Sequence, residues 1–148
     1  MSEFVMALGW VGIYGAMALG AIGSIIGCAT AGQAAIGAMM ETSSGYGRFV
    51  GISAMPSSQI IFGIVIMFSL QQEVTAVNGG ALFAIGFLAG LALMMSAIWQ
   101  GKACAAAISA AKDKPEIFGL ALAPAAIVEG FAVFAFVFAL VLAGSIPS

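Results

Sequence analysis

Four long apolar runs fill most of the chain, over about Phe4–Met40, Tyr46–Leu70, Gly80–Ala111 and Ile117–Ala143. Three polar breaks separate them: Glu41-Thr-Ser-Ser-Gly45, Gln71-Gln-Glu-Val-Thr-Ala-Val-Asn-Gly79 and Lys112-Asp-Lys-Pro-Glu116. These are turn and stop signals. Each run exceeds the roughly 20 residues a helix needs to cross a bilayer. The pattern predicts an all-α membrane protein of four transmembrane helices in two tandem hairpins, residues 1–72 and 73–148.

The first run is too long for a simple span. At 1.5 Å per residue it reaches about 55 Å, against a hydrocarbon core of about 30 Å. Along it Gly9, Gly12, Ala16, Gly20, Gly23, Gly27, Ala31, Ala34 and Ala38 recur at steps of three and four, which keeps them on one helix face. A small-residue face lets helix backbones approach closely, and its length suggests tight association with copies of the same chain. The third run carries a looser version in Gly86, Gly90, Ala97, Gly101, Cys104, Ala107 and Ala111. The second and fourth are rich in Ile, Val and Phe, as lipid-facing helices are. Runs one and three are therefore expected inside an assembly, two and four outside.

The halves also read as a repeat displaced by about 70 residues. Gly32-Gln33-Ala34-Ala35 answers Gly101-Lys102-Ala103-Cys104. In each half a polar turn and a proline follow (Pro56, Pro124), then a polar residue at mid-helix, Gln59 in one copy and Glu129 in the other.

Composition narrows the chemistry. Of 148 residues 63% are hydrophobic and only 7% charged, and the mean hydropathy is +1.18; soluble domains carry about 25% charged residues. The absence of histidine excludes imidazole catalysis, and two cysteines within apolar helices are too few for a zinc site. No phosphate loop is present. A net charge of −2 with no basic patch gives nucleic acid nothing to bind. Met-Ser-Glu-Phe-Val lacks the basic start of a cleavable signal, so the first helix is expected to serve as an uncleaved insertion signal.

One carboxylate stands inside the fourth run. Glu129 lies about 20 Å along its helix from the polar turn, near mid-depth, where a charged side chain costs roughly 2.5–3.5 kcal/mol on insertion scales. Counting from the same side places Gln100, Gln59 and Ser58 at nearly that level, about 18 Å in. No lysine or arginine shares the depth. Pro56 has no N–H, which frees the Ile52 carbonyl and lets the helix bend just before Ser58-Gln59. One carboxylate, two amide oxygens, a hydroxyl and nearby carbonyls form the kind of oxygen shell small hard cations favour. Taken singly, Ser58, Gln59 and Gln100 also suit interhelical hydrogen bonding. Thr30, at a similar depth, is a possible outer partner but is better placed to bond its own backbone. Trp10, Trp99 and Tyr14 read as interface anchors or packing.

The four basic residues, Arg48, Lys102, Lys112 and Lys114, lie at or near the turns after runs one and three. The positive-inside rule puts those turns in the cytoplasm and both termini on the far side.

Met55-Pro56-Ser57-Ser58-Gln59, Gln100-Gly101-Lys102, Val128-Glu129 and Lys114-Pro115-Glu116 resemble motifs of the rotor-ring proteolipid of V-type (bacterial V/A-type) ATPases, the K or c subunit. Sodium-translocating members are the most similar, with Leu-Pro-Gly-Thr-Gln in the second helix. The resemblance covers nearly the whole chain. It implies a non-catalytic subunit of a bacterial cell membrane, closed into a homo-oligomeric ring within the lipid. The ring would turn against a stator subunit, coupled to ATP hydrolysis by central-stalk subunits. It also implies a Na+ site made by the Met55 carbonyl, Ser58, Gln59, Gln100 and Glu129, with H+ the alternative cargo. Two departures from that pattern matter for the site: Ser58 replaces a threonine, and Phe62 replaces a tyrosine that would donate a hydrogen bond to the carboxylate.

Two other classes compete. A small four-helix ion-coupled exchanger has its carboxylate in the first helix and lacks a glycine seam. A purely structural four-helix pore leaves Glu129 and its level-mates without a role.

Overall fold

Both runs with a small-residue seam form single unbroken helices, and both Phe-rich runs are interrupted. The computed structural model describes residues 1–147. Its α-helices are α1 (Ser2–Glu41), α2 (Tyr46–Ser53), α3 (Ser58–Ser69), α4 (Gly79–Asp113), α5 (Phe118–Ala121) and α6 (Ala123–Ala143). Together they make four segments long and apolar enough to cross a membrane: Ser2–Glu41, Tyr46–Ser69, Gly79–Asp113 and Pro115–Ala143.

The seam of α1 faces α4 of the same chain. The two helices run parallel, since Gly12 meets Gly86, Gly23 meets Met94 and Gly27 meets Gly101. A methyl group added at Gly86 would fall on the Gly12 carbonyl, and one at Gly23 would lie 2.6 Å from the Met94 Cα. This corrects the expectation that the α1 seam meets copies of the same chain. The second half of the duplicated sequence supplies the partner, with its own seam of small residues. Gly86, Gly90, Ala97, Gly101, Cys104, Ala107 and Ala111 are all buried in α4. On α1 the burial passes from Ala34 to Ala35 near the end of the seam. At the last turns Lys112 reaches Glu41 at 2.6 Å, tying the two ends together.

The breaks in the other two runs follow from proline. Pro56 cannot donate to the Ile52 carbonyl, so the chain tightens into a 3-10 turn over Met55–Ser57 between α2 and α3. The Ser57 N–H bonds the Ala54 carbonyl at 3.0 Å instead of continuing the α-helical ladder. The fourth run was expected to be one helix over Ile117–Ala143. It opens on a 3-10 turn, Pro115–Ile117, and breaks again at Leu122 between α5 and α6. There Pro124 occupies the first turn of α6, where its missing N–H is not needed.

The connection between hairpins is ordered by Asn78. Its Oδ1 accepts from the Thr75 N–H at 2.8 Å and its Nδ2 donates to the Glu73 carbonyl at 2.9 Å. Two apolar clusters fill the core. One gathers Ile13, Ile66, Leu70, Leu82 and Leu93; the other gathers Ala31, Phe49, Ile52, Cys104 and Ile108. On α1 and α4 the stretch between the clusters holds the buried polar residues Ser24, Ser96 and Gln100.

Candidate functional site

The broken helix puts Gln59 at the first turn of α3, pointing into this middle layer. Three glycines make room. A methyl group on Gly20 would sit 2.9 Å from the Gln59 carbonyl, and one on Gly27 would lie 2.7 Å from Pro56 Cβ. One on Gly63 would lie 2.5 Å from the Ala16 carbonyl. The seam thus brings the 3-10 turn close against α1.

From there a continuous hydrogen-bonded chain crosses three helices. Ser58 Oγ donates to Gln59 Oε1 at 3.2 Å and also lies 3.3 Å from the Met55 carbonyl. Gln59 Nε2 donates to Gln100 Oε1 at 2.9 Å. Gln100 Nε2 donates to Glu129 Oε2 and to the Ala125 carbonyl, both at 3.3 Å. Gln59 and Gln100 are fully buried, whereas Glu129 is half-buried at the end of the chain. Among the described residues no buried side-chain polar atom lacks a partner. The layer is a satisfied network, as a low-dielectric interior requires.

The structure therefore brings Met55, Ser58, Gln59, Gln100 and Glu129 together. Phe62 and Thr30 stand apart from the network. The Phe62 ring stacks on Phe136 of α6, centroids 5.0 Å apart, and packs α3 against the helix that carries Glu129. Thr30 donates to the Ile26 carbonyl at 2.8 Å, within its own helix, which removes it as an outer partner of the site.

Sequence reasoning missed two members. Ser96 Oγ donates to the Val128 carbonyl at 3.0 Å and accepts from Gln59 Nε2 at 3.4 Å. Ser24 Oγ accepts from the Ile60 N–H at 3.2 Å, satisfying a donor freed by the helix break. In a seam of glycine and alanine a serine reads as one more small residue. The available signal was that Ser24 and Ser96 stand 72 residues apart, close to the spacing of the repeat.

Chemically the layer is a set of hard oxygens. Among the described residues no three of His, Cys, Asp and Glu converge, and the only ion pairs involve Lys112. Glu129 thus meets its neighbours with no cationic partner. It can carry a proton, or its charge can be balanced by a small hard cation shared with the amide, hydroxyl and carbonyl oxygens beside it.

A profile of the ATP synthase C-subunit family matches residues 11–70 and again residues 83–142, an offset of 72. The chain is 31% identical over 137 residues to the A-type ATP synthase subunit K of Methanocaldococcus jannaschii. That match takes in 93% of this chain and 62% of the relative, so the chain spans under two thirds of that protein's length. It is also 31% identical over 129 residues to the V-type sodium ATPase subunit K of Enterococcus hirae, covering 82% of this chain and 80% of the relative.

Proposed function

The chain belongs to the ATP synthase C-subunit family, and we propose that it is the ion-carrying rotor subunit of a rotary V/A-type ATPase, with Glu129 as the carrier group. One observation carries this reading. A single carboxylate without a cationic partner ends a buried oxygen-rich chain within a membrane-spanning segment. Ions reach Glu129 through a half-channel shared with a stator subunit, ride on the turning ring and leave on the other side. Central-stalk subunits transmit the torque of ATP hydrolysis, performed elsewhere.

The duplication supports a homo-oligomeric ring, with residues 1–72 and 73–148 as its two halves. On α1, Gly12, Gly23 and Gly27 receive α4. The positions 72 residues later, Ala84, Met95 and Trp99, line two open apolar grooves of about 330 Å³ between α4 and α6. A second copy's α1 there would extend the internal packing from chain to chain until it closes. Exposed Phe131, Phe134 and Phe138 on α6 suit a face toward lipid.

Sodium is the proposed cargo. A proton needs only the carboxyl, whereas a dehydrated sodium ion needs several oxygens in place of its water. Met55, Ser58, Gln59, Gln100 and Glu129 present five, and the Enterococcus hirae relative is named for a sodium ATPase. Protons are the second reading, favoured by Phe62, whose ring offers the carboxylate no hydroxyl. A hydrophobic carbodiimide, which attacks the protonated acid, separates the two. Sodium is expected to protect Glu129 from it, with more sodium required at lower pH, because only the ionised carboxylate binds the metal well. Gln100→Ala is expected to raise the protecting concentration about tenfold, the effect of losing one ligand. Modification unchanged by saturating sodium at neutral to alkaline pH would make protons the cargo.

The positive-inside rule orients the ring with the Glu41–Lys112 end in the cytoplasm of a bacterial cell. A cysteine at Ser2, in a background without Cys28 and Cys104, is then expected to react with an impermeant maleimide added from outside. Labelling only from the cytoplasmic face would reverse the orientation.

A further inference from the structure

We propose that Ser96 is a positioning residue for ion loading, a second acceptor that holds the Gln59 amide when Gln100 turns its oxygen to the ion. The inference rests on the sodium reading and deepens it. Ser96 stands one turn before Gln100 on the same face of α4, is 8% exposed, and touches the site from two sides. Its proton is committed to the Val128 carbonyl, a backbone group that can only accept. The hydroxyl lone pairs are thereby turned to Gln59, which must present its NH2 and keep Oε1 toward Ser58.

The direction of Gln100 is fixed in the same way. Its NH2 is held by the Ala125 carbonyl and by Glu129, so its oxygen faces Gln59. In this arrangement Gln59 Nε2 is shared unequally, 2.9 Å from Gln100 Oε1 and 3.4 Å from Ser96 Oγ. A cation on Gln100 Oε1 would draw that oxygen away and leave a buried N–H in need of another acceptor. Ser96 is already within reach, so Gln59 keeps its orientation while both amide oxygens turn to the ion. Without the hydroxyl, loading would leave the Gln59 NH2 with no acceptor at all, whereas in the ion-free network Gln100 would still hold one of its two N–H groups and fix the amide.

The matching position in the first half supports a dedicated role. Ser24, 72 residues earlier, is 6% exposed and likewise joins a long helix to its interrupted neighbour, at the Ile60 N–H. In the half that carries Glu129, the corresponding hydroxyl reaches the residue next to the carboxylate.

The test is carbodiimide labelling of Glu129 in the assembled ring, in lipid, for wild type, Ser96→Ala and Ser96→Thr. Ser96→Ala is expected to need roughly tenfold more sodium for half-protection. Its labelling without sodium should keep the wild-type dependence on pH, and Ser96→Thr should restore wild-type protection. Equal sodium protection in wild type and Ser96→Ala would overturn the assignment and leave the sodium reading standing. A sodium-free pH profile that moves in Ser96→Ala would also overturn it, by showing a general structural role. Absence of sodium protection in wild type would remove the sodium reading itself and this role with it.

Discussion

Glu129→Gln is expected to assemble normally and to transport nothing measurable. The substituted amide still offers an oxygen to Gln100 Nε2, which meets Glu129 at 3.3 Å, so the network through Gln59 stays satisfied. What disappears is the only charge in the layer. A unit charge 4 Å from a monovalent cation is worth about 4 kcal/mol at an effective dielectric constant of 20, or about a thousandfold in affinity. ATP-driven sodium uptake into vesicles should therefore fall to background, with the ring intact in detergent. Uptake within a few-fold of wild type would move the carrier group elsewhere. Glu129→Asp keeps the charge but withdraws it by one methylene, so partial transport is expected.

The second large effect lies far from the ion. Gly86→Leu is expected to abolish the folded protein, because the Gly86 Cα rests against the Gly12 carbonyl and even a Cβ has no space. Overpacking ordinarily costs about 1–3 kcal/mol when neighbours can yield. Here the neighbour is backbone of a 40-residue helix, which cannot give way locally. Gly51→Ala is the contrast, since a methyl group there meets nothing within 4 Å and lies on the exposed side of α2. Its ring yield and thermal stability are expected to match or slightly exceed wild type, as alanine suits a helix better than glycine. Equal yields for the two variants would mean that α1 and α4 do not pack as described.

These two sites differ in how far the sequence disclosed them. Four spanning segments were legible from hydropathy alone, because a bilayer imposes a minimum length on any helix that crosses it. The α1 seam was legible from its three-and-four spacing. Its partner was not, since small residues state that something approaches closely and not what does. That is why α4, and not another copy, was missed as the occupant of Gly12, Gly23 and Gly27. Proline marked the bend at Pro56, but the break at Leu122 was hidden. Its own proline lies two residues on, inside a strongly apolar run.

The polar layer was visible by counting turns, because Gln59, Gln100 and Glu129 stand out against aliphatic neighbours. Which atoms face each other was not visible, as a count gives depth and not azimuth. Gln59 and Gln100 proved to be bonded directly, and Thr30, at the same depth, bonds its own helix. Ser24 and Ser96 escaped notice because a hydroxyl adds little to a residue's size. Their role appears only when Val128 and Ile60 are found opposite them.

The central claim, one sodium site per chain in a closed ring, is tested most directly by the mass of the intact assembly. The complex released from detergent in sodium buffer is expected to weigh an integral number of 14.8 kDa chains plus one sodium ion for each. The Glu129→Gln assembly should show the same number of chains and no sodium. A wild-type species of single chains, or a ring that carries no sodium under these conditions, would contradict the account.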